Sequence, residues 1–196
     1  MTHSSRAALA WLSAAVVYLG LEAVAAAVFR PSYSYAHNMI SDLGVPAWSA
    51  DAWVMNAAFC VQGALFLVGA VLAGGARPLV ALVGANAAGN VLIALFHSGS
   101  ATHAAGAVLA IVGGNAAIIA GSSLIGGWHR RVSIGLGVVG LLSFSVFVYG
   151  LENSGVGPRG VWERGSVYTI TVWQLLTAAA LFSRPAAGWP GRARRG

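Results

Sequence analysis

Long apolar runs alternate with short polar stretches along the whole chain. Six such runs recur, near residues 7–29, 52–74, 78–97, 103–126, 132–151 and 161–182. A helix needs about 20 apolar residues to cross a hydrocarbon layer of ~30 Å at 1.5 Å per residue, so each run predicts a membrane-spanning helix. The breaks between them carry residues that stop or turn a helix. They are Arg30-Pro31, Gly74-Gly75-Ala76-Arg77-Pro78, His97-Ser98-Gly99-Ser100, Gly126 to Arg131, and Asn153 to Gly160. The pattern predicts an all-α, polytopic six-helix bundle forming one domain over residues 1–184. A basic tail over 185–196, with Pro185, Pro190 and Arg192-Ala193-Arg194-Arg195, is expected to be a disordered cytoplasmic extension. No internal repeat stands out.

Composition agrees with the periodicity. Of the 196 residues, 58% are hydrophobic and 8% charged, against about 25% charged in soluble domains, too few to cover a water-facing surface. The net charge of +6 comes from arginine alone. Those arginines fall in short loops and the tail, where they orient a membrane protein and meet anionic headgroups, so nucleic acid is not an expected partner. Cys60 is the single cysteine and sits in an apolar run. It excludes an internal disulfide and a cysteine-based metal site, and reads as a small buried residue. The first run follows Arg6 but is longer than a signal peptide's apolar region, so it is expected to remain as the first helix.

An even number of spans puts both termini on one side. That side would hold Arg6, Arg77, Arg130, Arg131, Arg184, Arg192, Arg194 and Arg195, against Arg30, Arg159 and Arg164 on the other. Eight against three predicts cytoplasmic termini in the plasma membrane. This topology gathers Asp42, Asp51, Glu152 and Glu163 at the outer face with His37, His97 and His103, and puts Glu22 in the outer half of the first helix. His3 and His129 stay inside.

Each of these groups has a bland reading beside a chemical one. Glu22 precedes Arg30 by eight residues, about 12 Å below the boundary, where a carboxylate must be protonated, paired or hydrated. His37, Asn38, Ser41 and Asp42 share one face if their segment is helical, although Asn, Ser and Asp also stabilise turns through their own backbone. His97 and His103 flank a short hairpin, where they are interfacial histidines, a proton relay or weak zinc ligands with Asp42. Glu163 suits the first turn of a helix, and Arg164 offers its fork to Asp42, Glu152 or a lipid phosphate. Asp51 reads as a helix cap. The amides Asn56, Gln62, Asn86, Asn90, Asn115 and Gln174 read as interhelical bonds, Ala107, Gly114 and Gly121 as a packing seam, and Trp48, Trp53, Trp128, Trp162, Tyr33 and Tyr35 as interfacial belts.

The stretch His37-Asn38-Met39-Ile40-Ser41-Asp42-Leu43-Gly44 resembles the signature after the first helix of an uncharacterised prokaryotic membrane family, domain of unknown function 998. The resemblance implies six spans. It picks out Asn38, Ser41, Asp42, Leu43 and Gly44, a histidine before the fourth span matched by His103, and Glu163-Arg164 opening the last span. Phe96-His97-Ser98-Gly99 departs from that family's pattern. The resemblance implies no activity and no cofactor.

Three function classes remain. The favoured one is a protein that binds or acts on a lipid or other amphiphile at the outer face. Asp42, His37, His103 and Glu163 would be its acid–base groups, and Arg164, Asn38, Ser41, Glu22 and His97 its binding groups. The second is a non-catalytic accessory subunit of a membrane assembly. The third is a small proton-coupled transporter, for which no repeat or broken helix speaks. No Gly-x-Ser-x-Gly nucleophile motif occurs.

Overall fold

The computed structural model describes residues 2–153 and 157–183; the basic tail over 185–196 lies outside them. Six α-helices follow one another: α1 His3–Ala27, α2 Ala52–Leu72, α3 Arg77–Leu95, α4 Ala101–Ala120, α5 Gly127–Glu152 and α6 Arg159–Phe182. Among the described residues all six are long and apolar enough to cross a membrane, and no strand forms beyond an isolated bridge between Phe29 and Ser49.

Local chemistry sets the helix ends. The Thr2 side chain accepts from the Ser5 amide at 3.1 Å, and Ser100 does the same for His103 at 3.1 Å, each capping a helix start. Pro78 occupies the first turn of α3, where its missing N–H costs nothing. Gly74, at φ +66°, takes the left-handed conformation that ends α2. Asp51 does stand at the cap position of α2, but its side chain makes no capping bond.

Each helix packs against the next in sequence, and α6 closes the ring onto α1 while also touching α4. The core has two parts. One surrounds Trp11, Phe66, Leu79, Ile118 and Trp173 toward the end that carries the termini. Trp11 and Trp173 meet edge to face at 5.1 Å, and each ring N–H is satisfied, by Phe66 O at 3.2 Å and Ser133 Oγ at 2.8 Å. The other surrounds Tyr18, Phe29, Ile40, Leu43, Met55 and Phe59 at the far end. Valines and leucines such as Val16, Val24, Val71, Leu95 and Leu142 face outward, as a lipid-solvated bundle requires.

Five helix starts lie earlier than the hydropathy pattern predicts, two of them by four or more residues. Helix α1 begins at His3 and α5 at Gly127, so Trp128, His129, Arg130 and Arg131 are helical. His129 is buried rather than left in a loop, with its Nε2 2.9 Å from Thr177 Oγ1 and Ser133 Oγ 3.4 Å from its Nδ1. The glycines of α4 and of its C-cap pack on two sides, so a second seam stands beside the expected one. Gly114 and Gly121 face Ile170 and Trp173 of α6, whereas Gly106 and Gly113 lie against the α3 backbone.

Candidate functional site

The α1–α2 connection is the longest loop among the described residues, and it folds back over the bundle. The Arg30 amide donates to Trp48 O at 2.9 Å, closing its base. Its middle crosses the start of α6, backbone against backbone. Ala36 O accepts from the Val161 amide at 3.2 Å, and Tyr35 O and Asn38 O accept from Arg164 Nη1 at 2.6 and 3.0 Å. Gly160 permits this approach, because a Cβ there would stand 2.8 Å from the carbonyl oxygens of Tyr35 and Ala36.

Arg164 is the hub of this junction. Its Nη2 lies 3.0 Å from Glu22 Oε1 and also donates to the Tyr33 hydroxyl. Tyr168 donates to both Glu22 oxygens at 2.9 Å. The guanidinium carbon sits 5.3 Å from the Tyr33 ring centre and 4.8 Å from that of Tyr35. Arg164 and Glu22 are 7% and 1% exposed, so pairing and hydrogen bonds must offset the desolvation of both charges. The arginine therefore meets neither Asp42 nor Glu152 in an ion pair. The Tyr33 and Tyr35 rings pack against it, and burial raises the Tyr33 hydroxyl above its ordinary pKa.

Glu163 turns the other way. Its Oε2 accepts from the Ile40 amide. That amide opens a short 3₁₀ helix, Ile40–Gly44, whose first N–H groups lack partners within the helix and so attract a carboxylate. Asp42 serves the same turn from within. Its Oδ2 accepts from the Met39 amide at 2.9 Å while Oδ1 is buried without a partner. Burial raises the Asp42 carboxyl above its ordinary pKa, opposed first by the Met39 amide.

The four polar residues of this segment do not share one helical face. His37 lies in a turn with its ring exposed, Asn38 accepts from the Ser34 amide at 2.9 Å, and Ser41 and Asp42 belong to the 3₁₀ helix. His37 and Asp42 line neither cavity described below. The two hairpin histidines also part company. His97 is exposed, whereas His103 is 8% exposed with its Nδ1 2.8 Å from Phe96 O. A carbonyl only accepts, so Nδ1 carries the hydrogen and Nε2 remains available. Among the described residues no three His, Cys, Asp or Glu side chains gather as a metal site, and His97, His103 and Asp42 do not assemble one.

Two cavities meet at this end of the bundle. The larger, ≈ 490 Å³, lies between α4 and α5 beneath the α1–α2 loop. Ala104, Val108, Phe144, Phe147, Val148 and Leu151 give it apolar walls, and Ser41, His103 and Glu163 give it polar groups. Val108, Val148 and Leu151 are 48%, 45% and 44% exposed, so its wall includes residues on the outer surface of the bundle. The smaller cavity, ≈ 40 Å³, lies inside the bundle. It shares Ser41, His103, Ala107, Ile111 and Glu163 with the larger and adds Tyr18, Gln62, Asn86 and Asn90.

Most of the amides in the spans are structural. Asn86 donates to Ala110 O at 2.6 Å, Asn90 to Asn86 O at 3.0 Å, Asn115 to Ser166 O at 2.8 Å and Asn56 to Gly44 O at 3.1 Å. Gln62 and Gln174 touch at 3.5 Å, leaving Gln62 Oε1 and Gln174 Nε2 buried and unpartnered. The sequence reading passed over Tyr18 and Tyr168. Their signal was spacing: Tyr18 precedes Glu22 by four and Tyr168 follows Arg164 by four, which puts each pair on one helix face.

Comparison with known proteins gave no match among curated proteins and none among solved structures. The family described as "Protein of unknown function (DUF998)" matches residues 9–180, nearly the full set of spans. The chain is thus an integral membrane protein and belongs to the DUF998 family.

Proposed function

We propose that this protein binds a single-chain amphiphile. Its hydrocarbon part lies in the cavity between α4 and α5, and its polar end lies at Ser41, His103 and Glu163. The observation that carries this reading is the cavity itself, ≈ 490 Å³, with apolar walls and three polar side chains at its junction with the smaller cavity. Ligand sites are commonly concave, mostly apolar and oriented by a few polar groups. Residues on the lipid-facing surface contribute to its wall, so a ligand can enter sideways from the bilayer.

The loop side of the bundle is assigned to the outer face of the plasma membrane and the termini to the cytoplasm, on the arginine count of eight against three. Proton exchange at this site belongs to Glu163 and His103, which line the cavity, rather than to His37 and Asp42, which do not. Arg164 is given the role of holding the loop and Glu22 in place, since its Nη1 and Nη2 atoms already have acceptors.

The test is mass spectrometry of lipids extracted from the purified protein and from Ala104→Trp. Ala104 lines only the larger cavity and is exposed, so a tryptophan there fills space without unpacking the core. A species enriched over the membrane average in the parent and lost in the variant supports the reading. Identical lipid profiles overturn it.

A further inference from the structure

The smaller cavity has its own chemistry. Tyr18 and Gln62 line it, are 2% and 6% exposed, and carry a hydroxyl and an amide oxygen without hydrogen-bond partners. Unpaired buried polar atoms are rare in folded proteins and mark a place where a further group belongs. Glu163 completes the set, because one of its oxygens is held by the Ile40 amide and the residue lines both cavities. No arginine lines either cavity.

From these features we propose that the smaller cavity receives a primary ammonium group, so that the bound amphiphile is a long-chain amine or another single-chain lipid with a compact amino head. This rests on the larger cavity holding the chain.

An ammonium presents three N–H donors and no acceptor. Three acceptor groups line the cavity to match: the Glu163 carboxylate, which has lone pairs beyond the one that takes the Ile40 amide, Gln62 Oε1 and the Tyr18 hydroxyl. At ≈ 40 Å³ it has room for about three water-sized groups, which suits an amino terminus and not a bulky phosphodiester. Charge points the same way. An anionic head would meet the Glu163 carboxylate with only the His103 imidazole to offset it, since Arg164 is occupied by Glu22. An amine pairs with the acid whichever partner supplies the proton. Ile40, Phe59, Ile93, Val167 and Ile170 give the cavity an apolar share of its wall, and the low local dielectric strengthens that pairing.

The experiment is equilibrium dialysis of radiolabelled dodecylamine, dodecanol and dodecanoate against the full chain in zwitterionic nanodiscs at pH 7. Binding is counted as the part abolished by Ala104→Trp. Dodecylamine should bind at least tenfold more tightly than the other two. Gln62→Leu should weaken the amine about tenfold and dodecanol less than threefold. That variant leaves the Glu163–Ile40 bond intact, so it reports on the head site even where Glu163→Gln unsettles the loop. Equal binding of all three probes, or preference for dodecanoate, overturns the ammonium assignment while leaving the chain site standing. Absence of any Ala104→Trp-sensitive binding overturns both.

Discussion

Arg164 Nη2 stands 3.0 Å from Glu22 Oε1, joining the last helix to the first across 142 residues of chain. The pair closes the helix ring at the end where the cavities lie. Through Nη1 the same arginine holds the α1–α2 loop by two carbonyls. One side chain thereby fixes α1, α6 and the loop that roofs the site.

Removing one member of this pair leaves the other charged and buried. Glu22→Ala is expected to cost about 3–5 kcal/mol, measured by thermal or chemical unfolding in detergent. Replacing both residues with leucine should recover part of that loss, because no lone charge remains. It should not recover all of it, because the loop carbonyls lose their donor. Arg164→Lys should fail to restore the parent stability, since an ammonium cannot span Glu22, Tyr33 and the loop together.

Gly160 supports the same junction sterically. Gly160→Val is expected to lift the loop off α6 and cost about 1–3 kcal/mol by overpacking. Limited proteolysis between residues 33 and 45 should speed up. Gly135→Val serves as control, because a Cβ at Gly135 meets nothing within 4 Å. Equal proteolysis of the two variants would show that the close approach is not needed.

Asp42 gives a pH signature. Burial raises its folded-state pKa above the ordinary 3.8, so the folded protein binds more protons than the unfolded one in the window just above that value. Stability from this group therefore falls as pH rises through the window, and the penalty is fully present at neutral pH. Asp42→Asn keeps an acceptor for the Met39 amide and removes the charge. Its melting temperature relative to the parent should increase with pH across the window and then level off. A difference that stays constant from pH 3 to 8 would rule out a charge penalty at Asp42.

The spans were legible because length and hydropathy alone decide whether a helix can cross a bilayer. The ends were less so. Trp128 to Arg131 looked like a break by composition, yet His129 is helical and finds Thr177 and Ser133 as partners. The site was legible as an inventory: Glu22, Ser41, His103, Glu163 and Arg164 were all marked by the cost of polar groups among apolar ones. Their pairing was not. Hydropathy places residues by depth but says nothing of azimuth, so Arg164 was matched to Asp42, Glu152 or a lipid phosphate, whereas its partner Glu22 lies on a helix at the other end of the chain. Tyr18, Gln62 and Tyr168 were harder still, since aromatic and amide residues in a span are ordinary packing until a charged neighbour gives them a role.

The most direct measurement is photo-crosslinking in native membranes from a photoreactive side chain at position 104, which lines the larger cavity, against one at position 139, where Val139 is 52% exposed on α5 and lines neither cavity. Adducts are identified by mass spectrometry. Position 104 should capture one class of single-chain amphiphile far above its share of the membrane, and position 139 should capture bulk phospholipid. The same mixture of bulk lipids at both positions would contradict an amphiphile site between α4 and α5.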